Sequence, residues 1–265
     1  MPTLEVLIST MNKKSREDII ALLKIMNINS DCIVINQCDK NENETFTYKG
    51  HRILCVYSTE RGLSKSRNLA LEYAGADIVV IADDDICYND GYDKTIIGAY
   101  DENPDFDILT FMVKDNKRYP RKKRKLNSLL IHKVASWEIT MKLNAVKSMR
   151  FNELFGVGSS HISMGEENIF LAGCIKKKKK IMYIPQKIAC FSENGRPSTW
   201  FTGFNKKYMI DQGAVYYELS RLFAVPFIVQ FALRKYHLYK TNFGICRAVY
   251  YMLYGIMRYR KIINK

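Results

Sequence analysis

The first third of the chain alternates short apolar runs with segments of helical period. The runs are Leu4–Ser9, Cys32–Ile35, Arg52–Val56 and Ile78–Ile81, and the helical segments are Arg16–Met26 and Ser64–Tyr73. VLIS, CIVI and IVVI are continuously apolar, the pattern of strands covered by helices on both faces. Alternation of this kind predicts an α/β domain with a mostly parallel sheet. Such sheets bind ligands beyond the carboxyl ends of their strands, which singles out Thr10 and Asn12, Asn36 and Gln37, and Asp83, Asp84 and Asp85.

Another apolar run, Ile108–Val113, leads into Lys114–Lys125, where eight of twelve residues are basic and Pro120 interrupts any helix. That composition predicts a mobile loop. Beyond it the pattern predicts a strand near Trp137–Met141, a helix from about Gly165, a strand at Ile181–Ile184 and a polar loop at Ser192–Thr199. The chain thus divides into a first half over 1–113, a second half over 114–215 built onto it, and a tail over 216–265. From Tyr216 onward nine basic residues face one acidic residue, Glu218, and twelve aromatic residues are interleaved with them.

With 265 residues and 47% apolar content the chain can bury a substantial core. Lysine and arginine outnumber aspartate and glutamate by 41 to 27, a net charge of +14, which calls for an anionic partner: nucleic acid, an acidic membrane or a phosphorylated substrate. The seven cysteines are odd in number and form no CxxC pair, which argues against a disulfide framework or structural zinc and favours a reducing cytosol. No secretory signal is visible at the start. The longest apolar stretch, Leu222 to Leu233, is broken by Pro226 and falls short of the ~20 residues that span a bilayer.

Three segments could carry chemistry. In IVVIADDDICY three carboxylates follow a buried strand, a cluster best tolerated beside a divalent cation or in open solvent. Oxygen ligands of this kind suit magnesium or manganese, with a diphosphate and water completing the shell. In ERGLSKSRNLAL a helix start with Arg61 and Arg67 is a ready anion site, or an ordinary capped helix. In HISMGEENIFL, Ser163 and Glu166 have the spacing of a capping box, which would make Glu166 structural. Glu167 projects elsewhere from the first turn and could serve as a general base on a sugar hydroxyl.

Taken in order, LISTMN, VIN, RGLSKSRNLAL, ADDD, FGVGSSHISMGEENIFL and KIMYIP resemble the family-2 glycosyltransferases of the GT-A fold, many of which build bacterial surface polysaccharides. The resemblance runs from Leu7 to Pro185. It implies a Rossmann-like GT-A fold, with 1–113 as the nucleotide-sugar-binding half, 114–215 as the acceptor-side half and 216–265 as a basic amphipathic helical tail. It places nucleotide contacts near Ser9, Thr10, Asn12, Asn36 and Gln37, and diphosphate or base contacts near Arg61 and Arg67. It identifies Asp83, Asp84 and Asp85 with the family's DxD element, which holds a divalent metal and the donor; Asp83 with Asp85 is the preferred pair. It gives Glu167 the place of the base for inverting transfer, where aspartate is usual.

The implied cofactor is manganese or magnesium. The implied partners are a nucleoside-diphosphate sugar, with a UDP-sugar favoured, and a glycan or lipid-linked acceptor. Trp137 and Glu166 fall on the acceptor side, where Trp137 could stack on a sugar or serve as plain core. The loop from Cys190 to Thr199 contains no histidine where many relatives supply a metal or phosphate contact, and Arg196 and Ser198 could take over part of that work. The cationic aromatic tail suits an anionic membrane surface, or packs on the catalytic domain as core. The expected location is cytoplasmic, peripheral on the inner face of the cell membrane.

Two other classes compete. A nucleotidyltransferase on a similar sheet would show a glycine-rich loop after its first strand, where this chain has Thr10–Met11–Asn12–Lys13–Lys14. A nucleic-acid-binding or membrane-binding module without catalysis would use the positive charge but leave ADDD and GEEN without a role. No nucleic-acid partner is expected.

Overall fold

The computed structural model of the chain describes residues 2–113, 117–191 and 201–264. Its strands are β1 (Leu4–Met11), β2 (Asp31–Gln37), β3 (Glu42–Tyr48), β4 (His51–Ser58), β5 (Ile78–Asp83), β6 (Ile86–Tyr88), β7 (Ile108–Met112), β8 (Arg124–Leu126), β9 (Ile139–Lys142), β10 (Ile181–Lys187) and β11 (Ala189–Phe191). Its helices are α1 (Arg16–Ile25), α2 (Leu63–Tyr73), α3 (Tyr92–Glu102), α4 (Leu143–Val146), α5 (Glu166–Lys176), α6 (Lys206–Leu219), α7 (Ala224–Arg234), α8 (Tyr236–Tyr239) and α9 (Ile245–Ile263).

Nine strands form one sheet in the order β3-β4-β2-β1-β5-β9-β7-β10-β8. β1, β2, β4 and β5 run parallel, as do β7 and β10, while β9 is antiparallel to both β5 and β7. The apolar runs of β1, β2 and β5 are buried along their length, because helices cover both faces of the sheet. This is the mostly parallel α/β architecture that the alternating pattern predicts. β9, from the second half, is inserted between β5 and β7 of the first, so both halves share one hydrogen-bonded layer.

Two expectations need correction, and one strand lies outside them. The predicted strand from Trp137 splits: residues 136–138 form a 3-10 turn, and the strand begins only at Ile139. The basic segment is not wholly a loop, since Arg124–Leu126 pairs antiparallel with β10, and Lys117 meets the buried Glu138. β3, with the polar sequence ENETFTY, went unpredicted; it is an edge strand whose ladder with β4 leaves one face in water. The polar loop at Ser192–Thr199, with Arg196 and Ser198, lies outside the described residues.

Residue 216 falls within α6, and that helix packs along α9 at very close range. A Cβ on Gly213 would sit 1.9 Å from the Met252 carbonyl oxygen, and one on Gly255 would sit 2.0 Å from that of Ile210. Both contacts are to backbone, so neither helix can yield without moving bodily. Gly255→Ala should therefore cost about 1–3 kcal/mol and lower the melting temperature by about 5 °C. A thermal melt unchanged from wild type would show that the crossing is looser than drawn.

Candidate active site

Parallel register brings the predicted strand-end residues together. Ser9 of β1 lies beside Asp83 of β5, and Thr10 and Met11 lie beside Asn36 and Gln37 of β2. α2 and α5 add the side chains that tie this edge to the second half.

Arg67 is the centre of that tie. Only 1% exposed, it donates to Asp83 Oδ1 at 2.8 Å and to Glu166 Oε1 at 2.9 Å. Burial alone would favour its neutral form, but Asp83, Glu166 and Glu167 outweigh burial and raise its pKa, so the guanidinium stays charged. Where the resemblance places a diphosphate or base contact, the structure seals the Arg67 guanidinium between two protein carboxylates. Glu166 is likewise withdrawn from the capping role. Ser163 donates to Asp211 at 2.7 Å instead, and Gly165, at φ 84, is the residue that starts α5.

The three aspartates are held differently. Asp83 spends its second oxygen on Ser136, which donates at 3.1 Å. Asp84 accepts from Thr10 Oγ1 at 2.7 Å. Asp85 Oδ1 is buried and lacks a hydrogen-bond partner among the described residues. Its carboxyl is pushed up to about 6, first by burial and then by repulsion from Asp83 and Asp84.

Glu167 sits beside Glu166 in the first turn of α5. Its carboxyl is pushed up to about 8, chiefly by burial and next by Glu166, with Arg67 pulling the other way. The turn is held in place by Asn168, which donates to the carbonyls of Ile131 and Val134, each at 3.0 Å.

Other predicted residues turn out to shape the site's walls. Asn36 is fully buried and uses both ends of its amide on the backbone of Lys13, at 3.1 and 2.8 Å. It fixes the turn in which Asn12 takes a left-handed φ of 58. Gln37 accepts from the Gly62 N–H at 2.8 Å, and Leu63 N–H donates to the Val157 carbonyl at 2.8 Å. Two of the N–H groups at the start of α2, those of Gly62 and Leu63, are thus filled by protein. Arg61 donates to the carbonyls of Cys38, Ser58 and Thr59 and to Asp39, bracing the ends of β2 and β4. Ser66 donates to Ser9 at 2.8 Å. Trp137 stands edge-on to Phe191 with ring centroids 5.0 Å apart, and its buried Nε1 lacks a hydrogen-bond partner among the described residues.

Ser64 and Asn68, which the sequence offers only as part of the helix start ERGLSKSRNLAL, are stitching residues. Ser64 donates to the Phe155 carbonyl at 2.6 Å, and the Asn68 amide both donates to and accepts from Phe151, at 3.0 and 2.7 Å. They pin the loop at 151–158 onto α2. Gly156, at φ 105, lets that loop pass: a Cβ there would lie 3.0 Å from Ser64 Oγ and 3.3 Å from the Glu166 side chain. A signal was available, because Ser64, Arg67, Asn68 and Leu71 occupy i, i+3, i+4 and i+7 of one helix face. Polar groups on an inward face have to find buried partners.

A structural likeness extends over nearly the whole chain. S. aureus TarS 1–349 in complex with UDP-GlcNAc superposes with a TM-score of 0.61 at 14% identity, covering 99% of this chain and 90% of that one. The mannosyltransferase PcManGT from Pyrobaculum calidifontis, in complex with GDP-Man and Mn2+, superposes with a TM-score of 0.53 at 11% identity, covering 99% and 74%. At these identities the likeness establishes the fold, which is GT-A. No curated protein matches the sequence significantly. The profile of Glycosyl transferase family 2 matches residues 6–170, which include the acidic triplet, Arg67 and both glutamates of α5, and the chain belongs to that family.

Proposed function

We propose that the protein is an inverting glycosyltransferase that moves a sugar from a nucleoside-diphosphate sugar, a UDP-sugar in the first instance, onto a hydroxyl of a glycan or lipid-linked acceptor. The observation that carries this reading is the Arg67 bridge. It locks the end of the acidic strand to the first turn of the helix that bears Glu167, so the donor edge and the base are one rigid unit. The UDP-GlcNAc bound to TarS and the GDP-Man and Mn2+ bound to PcManGT support a nucleotide-sugar donor for this fold.

Inverting transfer needs a base on one side of the anomeric carbon and charge stabilisation of the leaving diphosphate on the other. Glu167 takes the acceptor hydroxyl proton as that oxygen bonds to the anomeric carbon. The bond to the diphosphate breaks at the same time, and its electron pair leaves with the phosphate oxygen. A carboxyl pushed up to about 8 is a stronger base than an ordinary glutamate. No covalent intermediate is required, so no nucleophile need be positioned.

The cation in this reading is manganese or magnesium; among the described residues no three acidic, histidine or cysteine groups are gathered as a metal site, so the candidate ligands are the oxygens of the acidic triplet. Asp85 offers a buried oxygen without a protein partner, and the repulsion among the three carboxylates is what a cation relieves. Asp85, helped by Asp84, would hold it; the preference for an Asp83–Asp85 pair gives way because Asp83 is committed to Arg67 and Ser136. When bound, the cation supplies positive charge against the departing diphosphate.

Thermal shift with a panel of nucleoside diphosphates, with and without manganese, tests the donor site. One nucleotide at about a hundredfold over its Kd should raise the wild-type melting temperature by about 5 °C or more, only with metal. Asp85→Asn should abolish that shift while melting near wild type without ligand. If no nucleotide stabilises the folded wild type, the donor site as described is wrong.

A further inference from the structure

α9 is apolar on two opposite sides. Ala248, Met252, Gly255 and Tyr259 are buried in the protein, whereas Tyr250, Leu253, Tyr254 and Met257 are exposed, Tyr250 by 63% and Met257 by 58%. At about 100° per residue the two stripes point in opposite directions. α7, which packs against both α6 and α9, adds Val225, Val229 and Leu233 at i, i+4 and i+8, all exposed. Leu222, 80% exposed, and Phe223 extend that stripe at its start. A helix on a globular surface normally turns polar side chains outward, and contiguous apolar exposure of this kind marks a docking surface.

Charge selects the occupant. From Leu219 to Lys265 the chain has nine lysine and arginine residues and no acidic one. Arg234 and Lys235 close α7, and Arg260 and Lys261 lie in the last turn of α9, all exposed. A second copy seated on this face would oppose two cationic surfaces, whereas acidic headgroups would neutralise one. Among the described residues no helix is long and apolar enough to cross a membrane, so the fitting mode is to lie in the interface.

We infer that the outer face of α7 and α9 docks on an anionic lipid surface, with the apolar stripes among the acyl boundary and the basic residues on lipid phosphates. Two contacts tie this face to the base. Phe227 of α7 meets His132 edge to face at 5.2 Å, and the turn that carries His132 accepts hydrogen bonds from Asn168, next to Glu167. Leu129, exposed on the same turn, continues the apolar surface towards the site. Granted the transferase reading above, an acceptor anchored in that lipid surface would have its hydroxyl presented near Glu167.

Vesicle co-sedimentation tests the docking without donor or acceptor, so its result is independent of the transfer reaction. The full chain should bind vesicles of phosphatidylcholine mixed with phosphatidylglycerol, bind those of phosphatidylcholine alone far less, and release as salt rises. Tyr250→Ser/Leu253→Ser/Met257→Ser and, separately, Arg260→Gln/Lys261→Gln should each weaken binding about tenfold or more while melting like wild type. Absence of binding to the acidic vesicles at low salt overturns the inference, as does binding that survives the triple apolar change. A dimer in analytical ultracentrifugation that the apolar change dissolves, without vesicle binding, assigns the face to a second copy instead.

Discussion

Replacing Glu167 by glutamine should lower the transfer rate by roughly 10²- to 10⁴-fold, the usual contribution of a positioned base, while leaving nucleotide binding unchanged. Glutamine keeps the size and the polar contacts of the side chain but cannot accept the acceptor proton. The wild-type pH profile should carry the same signature. The carboxyl is pushed up to about 8, so only a minor fraction is ionised near neutral pH, and kcat/KM should rise through pH 8 and level above it.

The sign for stability runs opposite to that for activity. A folded-state pKa above the unfolded value means the group favours folding most below the unfolded value, and that contribution is lost as pH rises through about 8. Above pH 8 wild type carries a desolvated, repelled carboxylate that Glu167→Gln lacks, so the variant should melt at or above wild type there. Stopped-assay kinetics and thermal melts from pH 6 to 10 read both effects on one pair of proteins. Full activity in the variant, or a wild-type profile flat across that range, would remove Glu167 from the base role.

The acidic triplet and the glutamate pair were legible because each sits at an element boundary that local pattern marks: the end of IVVI and the start of a helix after glycine. Their division of labour was not. Nothing local distinguishes Asp83 from Asp85, and the difference arises from Ser136, 53 residues along the chain, and from Arg67. The same holds for Ser163, whose spacing to Glu166 fits a capping box. Asp211 lies 48 residues away and offers Ser163 a buried carboxylate, and Gly165 frees both residues by starting the helix alone. Asn36 and Gln37 stood at strand ends where ligands bind, and the fold spends their amides on its own turns. Strands and helices follow from hydrophobic period; which polar group faces which is fixed only when distant segments meet.

Arg67→Met should be the most destabilising single change at the site, costing about 3–5 kcal/mol and lowering the melting temperature by about 10 °C. The guanidinium answers Asp83 and Glu166 at once, and its removal leaves the buried Glu166 and the half-buried Asp83 without their cation. Lysine at the same place keeps one charge but not the planar fork that reaches both acids, so Arg67→Lys should recover part of the loss. Adding Glu166→Gln to Arg67→Met should recover part as well, because the stranded charge is gone. Arg67 also lowers the Glu167 pKa through its charge, so wherever a variant stays folded the alkaline rise in kcat/KM should move to higher pH. A merely structural arginine would change the melt and leave that limb in place. If instead Arg67→Met melts with wild type, the bridge is not what joins the acidic strand to the base helix, and the shared sheet together with the Ser64 and Asn68 contacts is enough to hold them.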